Sequence, residues 1–246
     1  MITDTEGLVL RQVKAVNGRR MIVILTKRYG KISAGTSISE GGKNKTALAL
    51  RPFTYGRYEL FKGRDTYSIN GAETLQSFYA IGEDVDKYMA ASYALELTDA
   101  LAPEEQAQPA LLALIRDFLQ LLDERKSAFG TLLIGFQMKA LQLFGSAPQL
   151  DRCMRCGEKE DLAVLSIADG GLVCGRCEGQ PNPDPLHFSL TQEQLSALRY
   201  MAAKPITALK GIGLNEETEK KLRRLFKAYI AYHLGIENLK SESLLI

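Results

Sequence analysis

The rhythm of apolar and polar positions divides this chain into a β part followed by a mainly helical part. Leu8–Val16 is a β-rich run, and Met21–Leu25 is an unbroken apolar stretch that suits a strand buried on both faces. Arg28-Tyr29-Gly30 interrupts the pattern as a turn, and Lys31–Ala34 resumes it. Tyr58 and Leu60 alternate with Arg57, Glu59 and Phe61, which predicts a half-buried strand. Thr66–Ile69 reads as a last short strand closed by the turn dipeptide Asn70-Gly71. Five strands in about 70 residues, with no long helix, predict a small closed barrel, and the OB-fold is the five-stranded member of that class. Between strands lies TSISEGGKNKT, residues 36–46, polar and Gly-rich, which reads as a mobile basic loop.

From residue 84 the spacing becomes helical. Val85, Tyr88, Met89, Ser92 and Leu95 recur at helical intervals until Pro103. Pro109 suits the first turn of a second helix that runs to about Glu124. Leu132, Leu133, Phe136, Ala140, Leu141 and Phe144 give a third helix, ended by Gly145. These helices are apolar around much of their girth and must pack on each other or on the barrel. Residues 178–187, EGQPNPDPLH, read as an extended connector. Thr191 with Gln194 forms a capping-box pattern for a helix reaching about Ala203. A final helix starts near Asn215 and ends near Gly235. It sets Lys220, Arg224 and Lys227 on one face and Leu222, Leu225, Phe226, Tyr229 and Ile230 on the other.

Composition excludes several classes. With 46% hydrophobic and 24% charged residues among 246, the chain is neither disordered nor low-complexity. No apolar run approaches the roughly 20 residues that span a bilayer, and the N-terminus lacks the pattern of a secretory signal, so the expected compartment is the cytoplasm. The formal net charge of +2 hides an asymmetry: residues 1–80 carry +7, residues 81–150 carry −5, and residues 151–246 are neutral. That excess in the barrel favours a polyanionic partner.

The strongest local motif is a pair of C-x2-C sequences, Cys153/Cys156 and Cys174/Cys177, separated by 17 residues that read as a hairpin with a turn at 169–171. This spacing fits a four-thiolate zinc site. With every coordination position filled by protein, such a site is structural rather than catalytic. No enzyme constellation is evident. The two histidines, His187 and His233, have no nucleophile or metal partner in the sequence, and GGKNKT fails the phosphate-binding pattern because Asn44 stands where Ser or Thr is required. Gly211-Ile212-Gly213 reads as an inter-helix turn, since Glu216, Glu217 and Glu219 would repel a phosphate there. A single-strand-binding barrel needs cations for phosphates and rings for stacking. Arg11, Lys14, Arg19, Arg20, Lys27, Arg28, Lys31, Lys43, Lys45 and Arg51 are the candidate cations. Tyr29, Phe53 and Tyr55 are either stacking rings or barrel core and rim.

Several stretches occur in an order that resembles the RecO family of bacterial DNA repair proteins. They are TEGLVLRQV, LTKRYGKISA, LALRPFTYGRYELFKG, SYALELTDAL, LQLFGSAPQLDRC leading into the first cysteine pair, and GGLVCGRC at the second. The resemblance spans nearly the whole chain. It implies an α+β fold: an N-terminal OB-fold β-barrel (1–80), a helical domain in two parts (81–150 and 179–246), and an inserted four-cysteine zinc element (151–178). It further implies a nonenzymatic mediator of DNA repair and homologous recombination. Such a protein binds single- and double-stranded DNA, anneals complementary strands without ATP, and helps RecR load the recombinase onto strands coated by single-stranded DNA-binding protein. By position, Cys153, Cys156, Cys174 and Cys177 are then ligands of one structural zinc ion, and the ten cations named above form the DNA surface. The implied partners are DNA, RecR and the tail of single-stranded DNA-binding protein, with no membrane and a cytoplasmic, nucleoid-associated location. The alternative is an OB-fold module that binds RNA or serves as a protein scaffold without annealing activity.

Overall fold

A computed structural model describes residues 2–14, 20–38, 45–64, 66–178 and 186–244. The chain divides into two compact units, residues 1–124 with 239–246, and residues 125–238.

In the first unit, β1 (Ile2–Lys14), β2 (Arg20–Thr26), β3 (Gly30–Thr36), β4 (Thr54–Lys62) and β5 (Tyr67–Ser77) form a closed barrel in the order β1-β2-β3-β5-β4. β1 pairs antiparallel with both β2 and β4, and β3 meets β5 in parallel at Ala34–Tyr67 and Gly35–Ser68. The expected double burial of Met21–Leu25 holds for Ile22–Leu25, all buried, because the run faces the interior on one side and neighbouring structure on the other. Val9, Ile22, Ile24, Ile32, Leu50, Tyr58, Leu60 and Ile69 form the core, with Leu50 supplied just after the short helix α1 (Lys45–Ala49).

One expectation fails here. Asn70-Gly71 is not a turn that ends a short strand; β5 runs through it to Ser77. Gly71 pairs with Glu59 while Ile69 pairs with Leu60, which leaves Asn70 as the extra residue of a β-bulge. Asn-Gly serves a bulge as readily as a turn, and the continuing partner β4 selects the bulge. The predicted run Leu8–Val16 continues past Lys14 into positions outside the described residues, as does the basic loop 36–46 over residues 39–44; its last two residues, Lys45 and Thr46, are not loop but the start of α1.

α2 (Val85–Leu101) and α3 (Pro109–Glu124) complete this unit. Asp84 caps α2 by accepting from the Asp86 and Lys87 backbone N–H groups. The α2 face differs from the one read off the sequence. Val85 and Tyr88 are exposed, while Ala90, Ala91, Tyr93, Ala94, Leu95, Leu97 and Thr98 are buried. Alanines allow close approach, and a pattern weighted to large side chains misses them. A 3-10 turn, Lys240–Leu244, is held to α2 by Glu96, which accepts from the backbone N–H groups of Lys240 and Ser241 and from the Ser241 hydroxyl.

The second unit is built on α4 (Phe129–Leu143), in which every residue from Thr131 to Met138 is buried. It packs against α6 (Gln192–Ala203), the 3-10 turn Ile206–Leu209 and α7 (Glu216–Leu234). The Thr191–Gln194 capping box forms as expected. Asn215 caps α7, and Gly235 ends it at φ 64°, a left-handed position that suits glycine. The Arg125 guanidinium donates to the carbonyls of Ser127, Leu209 and Ile212, closing the α6–α7 connection. A small sheet, β7-β6-β8, contains β6 (Leu162–Ser166), β7 (Gly171–Cys174) and β8 (His187–Ser189). β8 begins at His187, the last residue of the expected connector 178–187, of which residues 179–185 lie outside the described residues.

Candidate metal centre and nucleic-acid interface

The two cysteine pairs are brought together by the hairpin that their spacing predicts. Cys153 and Cys156 lie on a turn closed by Gly157 N–H to Cys153 O (2.9 Å), with Gly157 at φ 80°. Met154 N–H donates to Leu172 O (2.8 Å), which docks this turn on β7. Cys174 ends β7, and Cys177 sits in the one-turn helix α5 (Gly175–Glu178). The four Sγ atoms lie within 4.8 Å of one another. Sulfurs at about 2.3 Å from a tetrahedral ion are about 3.8 Å apart; Cys156 Sγ and Cys174 Sγ are separated by 3.6 Å. The cluster therefore fits a metal ion held by four thiolates. Burial opposes ionisation of Cys153, but backbone N–H donors from Cys174, Cys156 and Arg155 prevail and draw its thiol down to about 6. Hydrogen bonds within the cluster push Cys177 up to about 12.

A clasp that the sequence reading missed braces this centre. Arg155, inside the first C-x2-C, donates through Nε and Nη2 to Asp169 Oδ2 (3.1 and 2.9 Å) and through Nη1 to Cys177 O (2.8 Å). Asp169 belongs to the DGG turn, so one side chain ties both cysteine pairs to the hairpin tip. His233 and Tyr229 of α7 hold the other side of that turn: His233 Nε2 lies 2.7 Å from Ile167 O, and the Tyr229 hydroxyl donates to Gly170 O (3.3 Å).

The candidate cations of the barrel separate into different situations. Arg19 and Lys43 lie outside the described residues, and Lys14 is the last residue of β1. Arg20 is buried; its Nη1 donates to Gln12 Oε1 (3.3 Å) and its Nη2 to Ile38 O (2.6 Å). Arg11 and Lys31 converge on Asp99 of α2, at 2.6 and 3.4 Å. Lys31 also meets Glu104 (3.3 Å), and its side chain is only 12% exposed. Lys27, Arg28 and Lys45 face solvent, and Arg51 is half-buried. Lys27 has Glu6 at 3.8 Å, and the Arg28 guanidinium lies 5.4 Å from the centre of the Tyr29 ring.

The three rings are held within the protein. The Tyr29 hydroxyl is 2.6 Å from Thr3 Oγ1, and Phe53 meets Tyr88 edge to face at 5.8 Å. Tyr55 is buried, and its hydroxyl donates to Glu6 (2.7 Å), which holds the Glu6 carboxyl below the usual carboxylate range. Arg57 and Arg64 are exposed cations absent from the sequence-based set. Arg64 lies in the β4–β5 connection, one of the loops that OB barrels use for oligonucleotides. On α7, Lys220, Arg224 and Lys227 are exposed, as their spacing predicts. No helix is long and apolar enough to cross a membrane, among the described residues.

Comparison with known proteins agrees with this architecture. Residues 1–78 match the family model for the N-terminal part of recombination protein O, and residues 82–243 match that for its C-terminal part. The DNA repair protein RecO of Alkaliphilus metalliredigens (strain QYMF) is 31% identical over 242 residues, covering 98% of this chain and 97% of that one. The DNA repair protein RecO of Myxococcus xanthus (strain DK1622) is 32% identical over 240 residues, with 97% and 94% covered. That of Bacillus subtilis (strain 168) is 27% identical over 245 residues, with 100% and 94% covered. The barrel, the helical part and the clustered cysteines thus occur in a chain that belongs to the RecO family of DNA repair proteins.

Proposed function

We propose that this protein is a nonenzymatic mediator of DNA repair and recombination that binds single- and double-stranded DNA and anneals complementary strands without ATP. The observation that carries this reading is the OB-type barrel with a +7 balance over residues 1–80, in a member of a DNA repair family. The solvent-facing cations Lys27, Arg28, Lys45, Arg57 and Arg64, joined by Lys14, Arg19, Lys43 and Arg51, supply the electrostatic surface for one strand. Arg11, Arg20 and Lys31 belong to the same surface in sequence, but each is engaged by protein groups.

Two single strands repel through their phosphates. A protein that neutralises both raises their encounter rate and leaves base pairing to supply specificity and net free energy. The basic face of α7, with Lys220, Arg224 and Lys227, or a second protein molecule, provides the surface for the second strand. RecR and the tail of single-stranded DNA-binding protein are the protein partners, in the cytoplasm at the nucleoid. In this reading residues 1–80 bind nucleic acid, residues 81–150 and 179–246 form the helical domain, and residues 151–178 are the inserted zinc element. One zinc ion held by Cys153, Cys156, Cys174 and Cys177 supplies structural cross-linking of the two turns.

Binding of the full chain to single-stranded DNA, duplex DNA and RNA over a salt series tests this. Charge reversal at Lys27, Arg28 and Lys45 weakens DNA binding irrespective of sequence. Each lost phosphate contact flattens the logarithmic salt slope by about 0.7 for a single strand. Binding to RNA alone, or DNA binding indifferent to these reversals, would overturn the assignment.

A further inference from the structure

Among the described residues β3 and β5 pair only at Ala34–Tyr67 and Gly35–Ser68, and the first half of β3 has no strand on that side. The connection between α2 and α3 fills the gap. Glu104 bridges in parallel to Lys31, and Glu105 N–H donates to Lys31 O (2.9 Å). Gly30 is at φ 69°, and any Cβ there would strike the Gln106 backbone, so the close approach is built into the sequence. Glu105 itself sits at φ 53°, a left-handed position costly for a residue with a side chain. These features fix the two glutamates against the barrel.

Their carboxylates reach three donors. Glu104 Oε1 is 3.3 Å from Lys31 Nζ. Glu105 Oε2 is 3.5 Å from Lys62 Nζ and 3.3 Å from the Tyr67 hydroxyl. Lys62 and Tyr67 flank the β4–β5 connection, where OB barrels contact oligonucleotides. Lys62 and Tyr67 converge on one carboxylate oxygen, a cation and a phenol that would equally donate to a phosphate oxygen, whereas Lys31 Nζ is also held by the Asp99 carbonyl (2.6 Å) and carboxylate (3.4 Å). The Glu104 and Glu105 side chains are 66% and 56% exposed, so they can swing out while the backbone stays docked.

We propose that Lys62 and Tyr67 form a phosphate subsite for a nucleic-acid strand, and that Glu105 occupies it as an internal competitor in the free protein. The inference rests on the nucleic-acid reading of the barrel. It assigns Lys62 and Tyr67 a binding role, and it makes strand affinity depend on displacing a carboxylate of the same chain.

The test uses the full chain and labelled oligothymidylate, with binding followed by fluorescence anisotropy at several salt concentrations. Exposed ion pairs shift an equilibrium by a factor of about 1.5–5 each. Glu105→Gln should therefore tighten binding by up to about fivefold at low salt and steepen the salt slope. Adding Lys62→Gln to that variant should remove most of the gain. Glu83→Gln removes equal charge from the same unit and serves as control. Glu105→Gln keeps the local fold, since the amide still accepts from Tyr67. A gain no larger than the control's, or one that survives Lys62→Gln, overturns the subsite while leaving the nucleic-acid reading intact. If neither wild type nor variants bind, that reading falls and takes the subsite with it. Binding by the variant alone would support it.

Discussion

Removing the metal should melt the two cysteine turns and spare the sheet between them. The turns comprise residues 153–158 and 175–178, ten in all, of which Cys153 is buried and most of the rest are exposed or half-exposed. Ordering them costs about 1–2 kcal/mol per residue, or roughly 10–20 kcal/mol. Structural zinc contributes about 10–16 kcal/mol in small finger peptides, which offsets that cost and leaves little surplus. The sheet has its own support: Leu162, Val164, Leu165, Ile167, Leu172 and Val173 are all buried. At about 1.5–3 kcal/mol each, they contribute roughly 9–18 kcal/mol before entropy, together with the ladder hydrogen bonds. Cys156→Ser is the cleanest perturbation, because Cys156 is exposed and its loss leaves no core cavity. Native mass spectrometry should find one zinc per wild-type chain and none in the variant. Amide exchange should then quicken at Cys153, Gly157 and Gly175, while Leu165 and Leu172 stay protected. Unchanged exchange at the turns would refute the energetic role of the metal. Simultaneous loss of protection at Leu165 and Leu172 would refute the independence of the sheet.

Other perturbations have equally definite outcomes. Arg125→Met leaves the Leu209 and Ile212 carbonyls without their guanidinium donor and should cost about 2–3 kcal/mol, read as a lower midpoint in denaturant unfolding. Gly30→Ala meets both a left-handed backbone and the Gln106 chain, and should destabilise the first unit by about 2–5 kcal/mol in a thermal melt. Burial raises the Glu96 carboxyl, but the donors of Ser241 and Lys240 outweigh it and hold it below its ordinary value of 4.5. A lowered folded value means that the stabilisation is complete above about pH 4.5 and lost as pH falls through the folded value. Proteolysis at 240–244 should therefore accelerate on acidification, and Glu96→Gln should show that acceleration already at neutral pH.

Much of the architecture was legible because its signals are local. Pro109 marks the start of α3, Thr191 with Gln194 the start of α6, and Asn215 and Gly235 bracket α7. The cysteine spacing predicted a hairpin, and the hairpin brings the sulfurs together. What was not legible depends on partners distant in sequence. Asn70-Gly71 looks the same as a turn or a bulge until β4 is seen to continue beside it. β8 has three residues, too few for any periodicity to register. Charge alone does not report burial, so Arg20 and Lys31 looked like Lys27 until Ile38, Asp99 and Glu104 were found against them. Arg155 looked like an ordinary residue between two cysteines because Asp169 lies 14 positions away.

The central claim is that binding energy alone drives strand pairing. A fluorescence annealing assay with complementary oligonucleotides tests it most directly, run without ATP, over a salt series, and on strands naked or coated by single-stranded DNA-binding protein. The account predicts annealing above the protein-free rate at low salt, decline as salt rises, loss on charge reversal at Lys27, Arg28 and Lys45, and persistence on coated strands. Annealing no faster than without protein, at low salt and with the metal bound, would contradict it.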